Sequence, residues 1–127
     1  MLLYIELRYL SLRGMFDRKG RALKKLRREL RSGVYSYLIL SMLKKEEMHG
    51  YFIRKKLEEM GFAPSEGAMY DLLKSLQRLG LIEGFWVVES RPRKCYRLTE
   101  LGREVLSELE LEIKKILEVL GGGDGGD

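Results

Sequence analysis

The stretch from Pro64 to Ile82, PSEGAMYDLLKSLQRLGLI, constrains this chain more than any other. Pro64 and Ser65 supply a helix start, because a serine hydroxyl accepts from the amides that the first turn leaves unpaired. Met69, Leu72, Leu73, Leu76 and Leu79 recur at three- and four-residue steps. That spacing puts them on one side of a helix and requires the side to be buried. Gly80 stops the helix, and a β-strand is expected from Leu81. The opposite side carries Tyr70, Lys74, Gln77 and Arg78, with Ser65, Glu66 and Ala68 at the amino-terminal end. A free polar face at the start of such a helix is where a helix entering a groove of DNA presents its residues, so a recognition helix is the working expectation, to be weighed against the segments around it.

The preceding segments prepare for such a helix. Residues 21–31, RALKKLRRELR, place Leu23, Leu26 and Leu30 on one face among cations, a basic amphipathic helix. Three surfaces suit it: DNA phosphates, an anionic membrane, or its own domain, and the last is favoured here with the charges outward. Ser32 and Gly33 are expected to break the helix. VYSYLILSMLKK then reads as a buried helix through Val34, Leu38, Ile39, Met42 and Leu43, the floor of the core. KEEMHGY is a turn, and a further helix runs from about Gly50 to Met60 with Ile53, Leu57 and Met60 inward, ended by Gly61. Two helices joined by a short turn, the second polar at its exposed start, make a helix-turn-helix.

The following segments complete a wing. LIEGFWVVES is rich in β-branched and aromatic residues, and KCYRLT is a second strand with Tyr96 and Leu98 on one face. Glu89, Ser90, Arg91, Pro92 and Arg93 form the loop between them, so the pair is a hairpin with a cationic tip. Arginine at such a tip enters a minor groove or pairs with phosphate; an ordinary solvated hairpin is the plain alternative. Thr99 caps a last helix, with Glu100 and Glu104 near its positive end. Along it Leu106, Leu109, Ile113, Ile116 and Leu120 alternate steps of three and four, a coiled-coil seam widened by Leu101, Val105 and Leu117. About twenty residues at 1.5 Å each span roughly 30 Å, more than a small winged-helix body covers. The excess is expected to pair with a second subunit rather than fold back. GGGDGGD at the end has nothing to pack and is expected to be disordered.

Composition limits the alternatives. The 127 residues, 45% hydrophobic, suffice for one compact domain with some excess helix. No apolar run is long enough for a membrane span, and MLLYIELRYLSL is interrupted by Glu6 and Arg8, so neither a span nor a signal peptide is expected and the location is cytoplasmic. A single cysteine, Cys95, and a single histidine, His49, leave no metal cluster and no intramolecular disulfide. No asparagine, one glutamine (Gln77) and one threonine (Thr99) beside many charged residues is the bias of a protein from a thermophile. The net charge of +5 is uneven: residues 1–31 hold ten Lys or Arg against Glu6, Asp17 and Glu29. A basic arm on a near-neutral body suits a polyanion, and a merely solvated terminus is the alternative. Two readings of residues 1–14 stay open: they are translated, or the true start is Met15.

Taken together, MHGYFI, SEGAMYDLLKSLQRLGLIE and RPRKCYRLTELGREVL resemble the PadR-like family of transcriptional regulators, over about Val34 to Leu120. The resemblance implies a mainly α winged helix-turn-helix fold with a small β-hairpin and a carboxy-terminal dimerisation helix. It also implies a homodimeric repressor on double-stranded DNA. By family pattern His49, Gly50 and Tyr51 open the second helix, Tyr70 lies on the recognition helix, and Arg91, Arg93, Lys94 and Tyr96 belong to the wing. Where the family often has proline and threonine at the recognition helix, this chain has Glu66, Ala68 and Asp71, and Cys95 replaces a common tyrosine. Two acids near the DNA-facing end weaken phosphate affinity.

The expected organisation is therefore a basic arm at 1–31, a winged helix-turn-helix domain at 32–99, a dimerisation helix at 100–120 and a tail at 121–127. The expected DNA contacts are Ser65, Glu66, Ala68, Tyr70, Lys74, Arg91, Arg93 and Lys94, with Ser65, Glu66 and Ala68 near base edges. Glu66 either accepts from cytosine N4 or merely complements the helix dipole. The expected subunit contacts are Leu106, Leu109, Ile113, Ile116 and Leu120. His49 reads as a turn or capping residue before a ligand, and Cys95 as a structural thiol before a redox sensor. Phe85 and Trp86 read as hairpin packing, with an aromatic effector site as the alternative; no cofactor is expected. Met42, Met48, Met60 and Met69 read as core. A winged helix that binds protein or RNA is the rival function, because the fold alone fixes no partner. An enzyme would need a nucleophile with its base, a phosphate-cradling loop or a carboxylate pair, and none is recognisable.

Overall fold

The computed structural model describes the backbone of residues 2–122 and the side chains of residues 17–122, so the expected disorder of the tail lies largely outside the described residues. The order is α1 (Leu2–Lys45), β1 (Met48–His49), α2 (Gly50–Glu59), α3 (Glu66–Arg78), β2 (Ile82–Val88), β3 (Pro92–Leu98) and α4 (Glu100–Leu120). The chain divides into two compact units, Met1–Val34 and Tyr35–Asp127.

The first unit is the amino-terminal part of α1. The break expected at Ser32 and Gly33 is absent: α1 continues through both, and Gly33 does not take a left-handed conformation. A glycine inside a helix costs about 1 kcal/mol, too little to end it without a proline or a capping geometry. Leu23, Leu26 and Leu30 are exposed among the cations rather than buried.

The second unit holds the core. Ile39, Leu40, Met42 and Leu43 from the end of α1 meet Met48, Ile53 and Leu57, then Met69, Leu73 and Leu76 of α3, then Leu81, Ile82, Tyr96, Leu98 and Leu106. Of the expected seam of α3, Met69, Leu73 and Leu76 are buried and Leu72 is half-buried against them. Leu79 is exposed because it caps the helix at its carboxy-terminal end, and Met60 is exposed for the same reason at the end of α2.

Both helices stop in the same way. Gly61 and Gly80 take φ of 89° and 76°, which reverses the chain. The amides of Phe62 and Leu81 then bond back to the carbonyls of Leu57 and Leu76 at 2.8 and 3.0 Å. A left-handed residue is needed there, and glycine adopts it without the clash of a Cβ.

The hairpin supplies the central strand, β3, and one edge, β2, of a three-stranded antiparallel sheet in the order β1-β3-β2. Tyr96 faces Met48 on one side and Gly84 on the other, and Leu98 faces Ile82. The turn expected across Met48 and His49 is thus partly a strand, too short to leave a periodic signal in sequence. β3 starts at Pro92, so Arg93 lies in the strand rather than in the tip loop.

Helix α4 is fastened at its start. The Thr99 hydroxyl accepts from the Gly102 amide at 3.0 Å and donates to the carbonyls of Gly80 and Leu81 at 2.6 and 3.1 Å. Gly102 is buried directly against the Leu81 carbonyl and Leu98, where any Cβ would collide with backbone.

Candidate nucleic-acid interface

Helix α3 presents the polar face read from its spacing. The Ser65 hydroxyl accepts from the Ala68 amide at 3.2 Å, so the cap holds the first turn and leaves Ser65, Glu66 and Ala68 at an exposed helix start. The Glu66 carboxylate accepts from Arg54 Nη1 of α2 at 3.1 Å. That bond ties the two helices of the motif together and neutralises an acid beside the positive helix end. Further along, Tyr70 is exposed, and the Lys74 ammonium lies 5.2 Å from its ring centroid, a cation–π arrangement. Gln77 is half-buried and donates to the Leu73 carbonyl at 3.3 Å.

The wing cations divide between the two faces of the hairpin. Trp86 faces Lys94 and Val87 faces Arg93 in the register. Side chains alternate along a strand, so Lys94 shares a face with Tyr96, and Arg93 shares the other with Cys95. Arg91 is in the tip loop between β2 and β3. A cleft of about 550 Å³ is lined by His49, Gly50, Tyr51 and Phe52 at the start of α2 and by Arg91, Pro92, Arg93 and Lys94 of the wing. Three cations thus border the amino-terminal end of α2, which has no acid in its first turn and no side-chain cap. Such a cleft attracts an anion through both the cations and the partial positive charge of the helix end. Tyr51 stands outside the DNA-contact set expected from sequence, although its place in MHGYFI is a signal for it; it is exposed on the wall of this cleft.

His49 occupies the N-cap position of α2, but its side chain does not cap the helix. Its Nδ1 lies 2.8 Å from Cys95 Sγ, and its ring stacks on Phe52 with centroids 5.6 Å apart. Cys95 is buried, and burial followed by the Glu47 carboxylate pushes its pKa up, which favours the neutral thiol. Tyr96 is buried too, and burial followed by neighbouring Tyr70 raises its pKa. The reading of Trp86 as packing is corrected: it is 64% exposed, whereas Phe85 is half-buried under the Arg97 guanidinium at 4.7 Å. Trp86 sits opposite Lys94 toward the tip of the hairpin, beyond the strand positions that the core covers.

The seam of α4 divides along its length. Leu106 is 1% exposed and belongs to the core of its own domain, so it is not available to a second subunit. Ile113 is half-buried, while Leu109, Ile116 and Leu120 are exposed, as is Leu117. Among the described residues no group of three or more His, Cys, Asp and Glu could hold a metal, and no helix is long and apolar enough to cross a membrane.

A helix-turn-helix followed by a β-hairpin with cations on both faces defines a winged helix-turn-helix of the DNA-binding class. Residues 39–108 match the model of the transcriptional regulator PadR-like family. The transcriptional regulator Rv3488 of Mycobacterium tuberculosis is 33% identical over 97 residues, covering 75% of this chain and 91% of that protein. Among solved structures, a PadR family transcriptional regulator from Eggerthella lenta superposes with a TM-score of 0.72 at 30% identity, over 82% of this chain and 93% of that one. A PadR-like transcriptional regulator from Bacillus cereus gives 0.69 at 33% identity, over 74% and 94%. The chain belongs to the PadR-like family of transcriptional regulators, whose work is DNA-binding regulation of transcription.

Proposed function

We propose that the protein is a repressor that binds a near-palindromic operator as a homodimer. The observation that carries this reading is the pairing of two unlike exposed faces. Helix α3 and the wing expose Tyr70, Lys74, Arg91 and Arg93, whereas α4 beyond Leu106 exposes Leu109, Ile116, Leu117 and Leu120. Cations and phenols at a helix-turn-helix suit phosphates and base edges, and an uncovered leucine and isoleucine stripe suits a second copy of itself. A twofold pair would set two recognition helices about 34 Å apart, one turn of DNA, so the operator would mirror the protein symmetry.

In this reading Ser65, Glu66 and Ala68 approach base edges. Tyr70, Lys74, Arg91, Arg93 and Lys94 contact phosphates, with Tyr51 beside them. Arg54 holds Glu66 through Oε1, and the exposed carboxylate keeps its second oxygen to accept from a base. The basic arm adds counterion release that is independent of sequence. The dimer seam begins at Leu109 and excludes Leu106.

Selection of bound fragments from the source genome, followed by titration of a selected duplex over a range of salt, tests the proposal. Enrichment of one inverted repeat, two protein chains per duplex, and a steep fall of affinity with salt are expected. Absence of retardation at low salt together with a co-purifying protein partner would replace DNA by protein as the target.

A further inference from the structure

We propose that Gly84 is a positioning residue for DNA binding: its missing side chain opens the lane through which Lys94 reaches the recognition helix. The inference rests on the DNA-binding reading above and assigns a role to a residue outside the expected DNA contacts. Lys94 faces Trp86 directly across the hairpin, and Gly84 faces Tyr96 two positions further from the tip. The Lys94 side chain does not stay over its own partner. It leans along the strand, away from the tip, and brings its ammonium to 5.7 Å from the Tyr96 ring centroid.

Gly84 makes that lean available. A Cβ built on Gly84 would stand 2.6 Å from Lys94 Cε, 3.2 Å from Gln77 Oε1 and 3.4 Å from Tyr96 Cε1. The wing lysine, the helix α3 glutamine and the tyrosine therefore meet over this one glycine. On the other edge of the same ring, a Cβ on Gly50 would stand 3.4 Å from Tyr96 Cε2. Two glycines from two elements thus flank the ring that seats the ammonium.

The consequence is that Lys94 acts with α3 rather than with the arginines of the tip. Arg91 lies in the tip loop and Arg93 points to the opposite face, whereas Lys94 is carried toward Gln77 and the neighbourhood of Tyr70. An ammonium already seated over an aromatic ring loses less side-chain freedom when a phosphate arrives, which raises affinity without any added interaction. A methyl group at position 84 would push Lys94 off its ring. The two atoms that must give, Lys94 Cε and by a few tenths of an ångström Gln77 Oε1, are far ends of flexible side chains, so the sheet itself has no reason to shift.

The test is a double-mutant cycle of Gly84→Ala and Lys94→Ala in the full chain. Binding is read by fluorescence anisotropy on a labelled mixed-sequence DNA duplex three helical turns long, over a range of salt, with a thermal melt of each variant. Gly84→Ala is expected to melt like the parent, to bind roughly three- to tenfold more weakly, and to lower the log–log salt slope by about 0.9 per chain. In the Lys94→Ala background the same substitution should change nothing further, because the displaced group is already gone. Equal weakening by Gly84→Ala in both backgrounds would show a structural effect and overturn the proposal, as would parent-like affinity and slope in Gly84→Ala alone. A parent protein with no salt-dependent binding to the duplex would overturn the DNA-binding reading itself, and the proposal with it.

Discussion

Helices α3 and α4 are built alike and turned to different uses. Each opens on a hydroxyl N-cap, Ser65 accepting from the Ala68 amide and Thr99 from the Gly102 amide, and each buries a leucine-containing seam in the same core. They differ in what they leave outside. Helix α3 leaves Tyr70, Lys74 and Arg78, groups that water tolerates and phosphate attracts; α4 leaves a run of leucine and isoleucine that water does not favour. The contrast teaches that an apolar period marks the side of a helix that must be covered without saying which partner covers it. In α3 the seam is covered by its own domain as far as Leu76, whereas in α4 the domain buries Leu106 and none of the seam residues beyond it.

The contrast breaks most sharply at Leu106. Leu106→Ala should lower the unfolding free energy by about 2–5 kcal/mol in urea titrations, the usual cost of emptying a core leucine site. If Leu106 served the subunit seam instead, the loss would grow on dilution, because dimer stability depends on protein concentration. Replacing Leu109, Ile113 and Ile116 together by lysine should leave a folded monomer in analytical ultracentrifugation. Its DNA affinity should fall about 100-fold or more, since two linked half-sites become one. Dimers that survived this change would place the interface on another surface.

On the side of the DNA face, the Arg91→Ala and Arg93→Ala pair should weaken duplex binding about tenfold near physiological salt and flatten the salt dependence by about 0.9 for each phosphate left unneutralised. Thermal stability should be unchanged, because both side chains are exposed. The two caps give the finest comparison. Ser65→Ala should cost about 1 kcal/mol of stability, and Thr99→Ala up to about 2 kcal/mol, at the upper end of the range for caps. The Thr99 hydroxyl also donates to the Gly80 and Leu81 carbonyls, whereas Ser65 serves its own helix alone. Equal losses from the two would mean that those added bonds contribute little beyond the cap.

Much of the fold is legible in the sequence, because its signals are local. Ser65 and Thr99 as caps, Gly61 and Gly80 as stops, and the spacing of Met69, Leu73 and Leu76 each act within about two turns of chain. The errors fall where a local signal has to be weighed against a distant partner. Met60 and Leu79 continue an apolar period past the point where the helix has already ended, so the period runs on without a wall to face. Ser32 and Gly33 look like a break, but a modest propensity cost does not end a helix that has hydrogen bonds on both sides. Of the proposed DNA contacts, Lys94 and Arg93 are neighbours in sequence, yet the alternation of the strand sends them to opposite faces.

The sequence by itself determined the class of molecule: the order of helices and hairpin, the caps and stops, the polar face of α3, the basic arm and the family. These follow from short-range backbone chemistry and from the sidedness of apolar residues. Only the tertiary structure decided which residues meet across the chain. It paired His49 with Cys95 through a two-residue strand, assigned Leu106 to its own core, bound Glu66 to Arg54, and laid Lys94 over Gly84 beside α3. The physical reason is that each of those contacts depends on strand register and helix packing, which arise from the joint burial of distant segments and leave no mark in the spacing of any one of them.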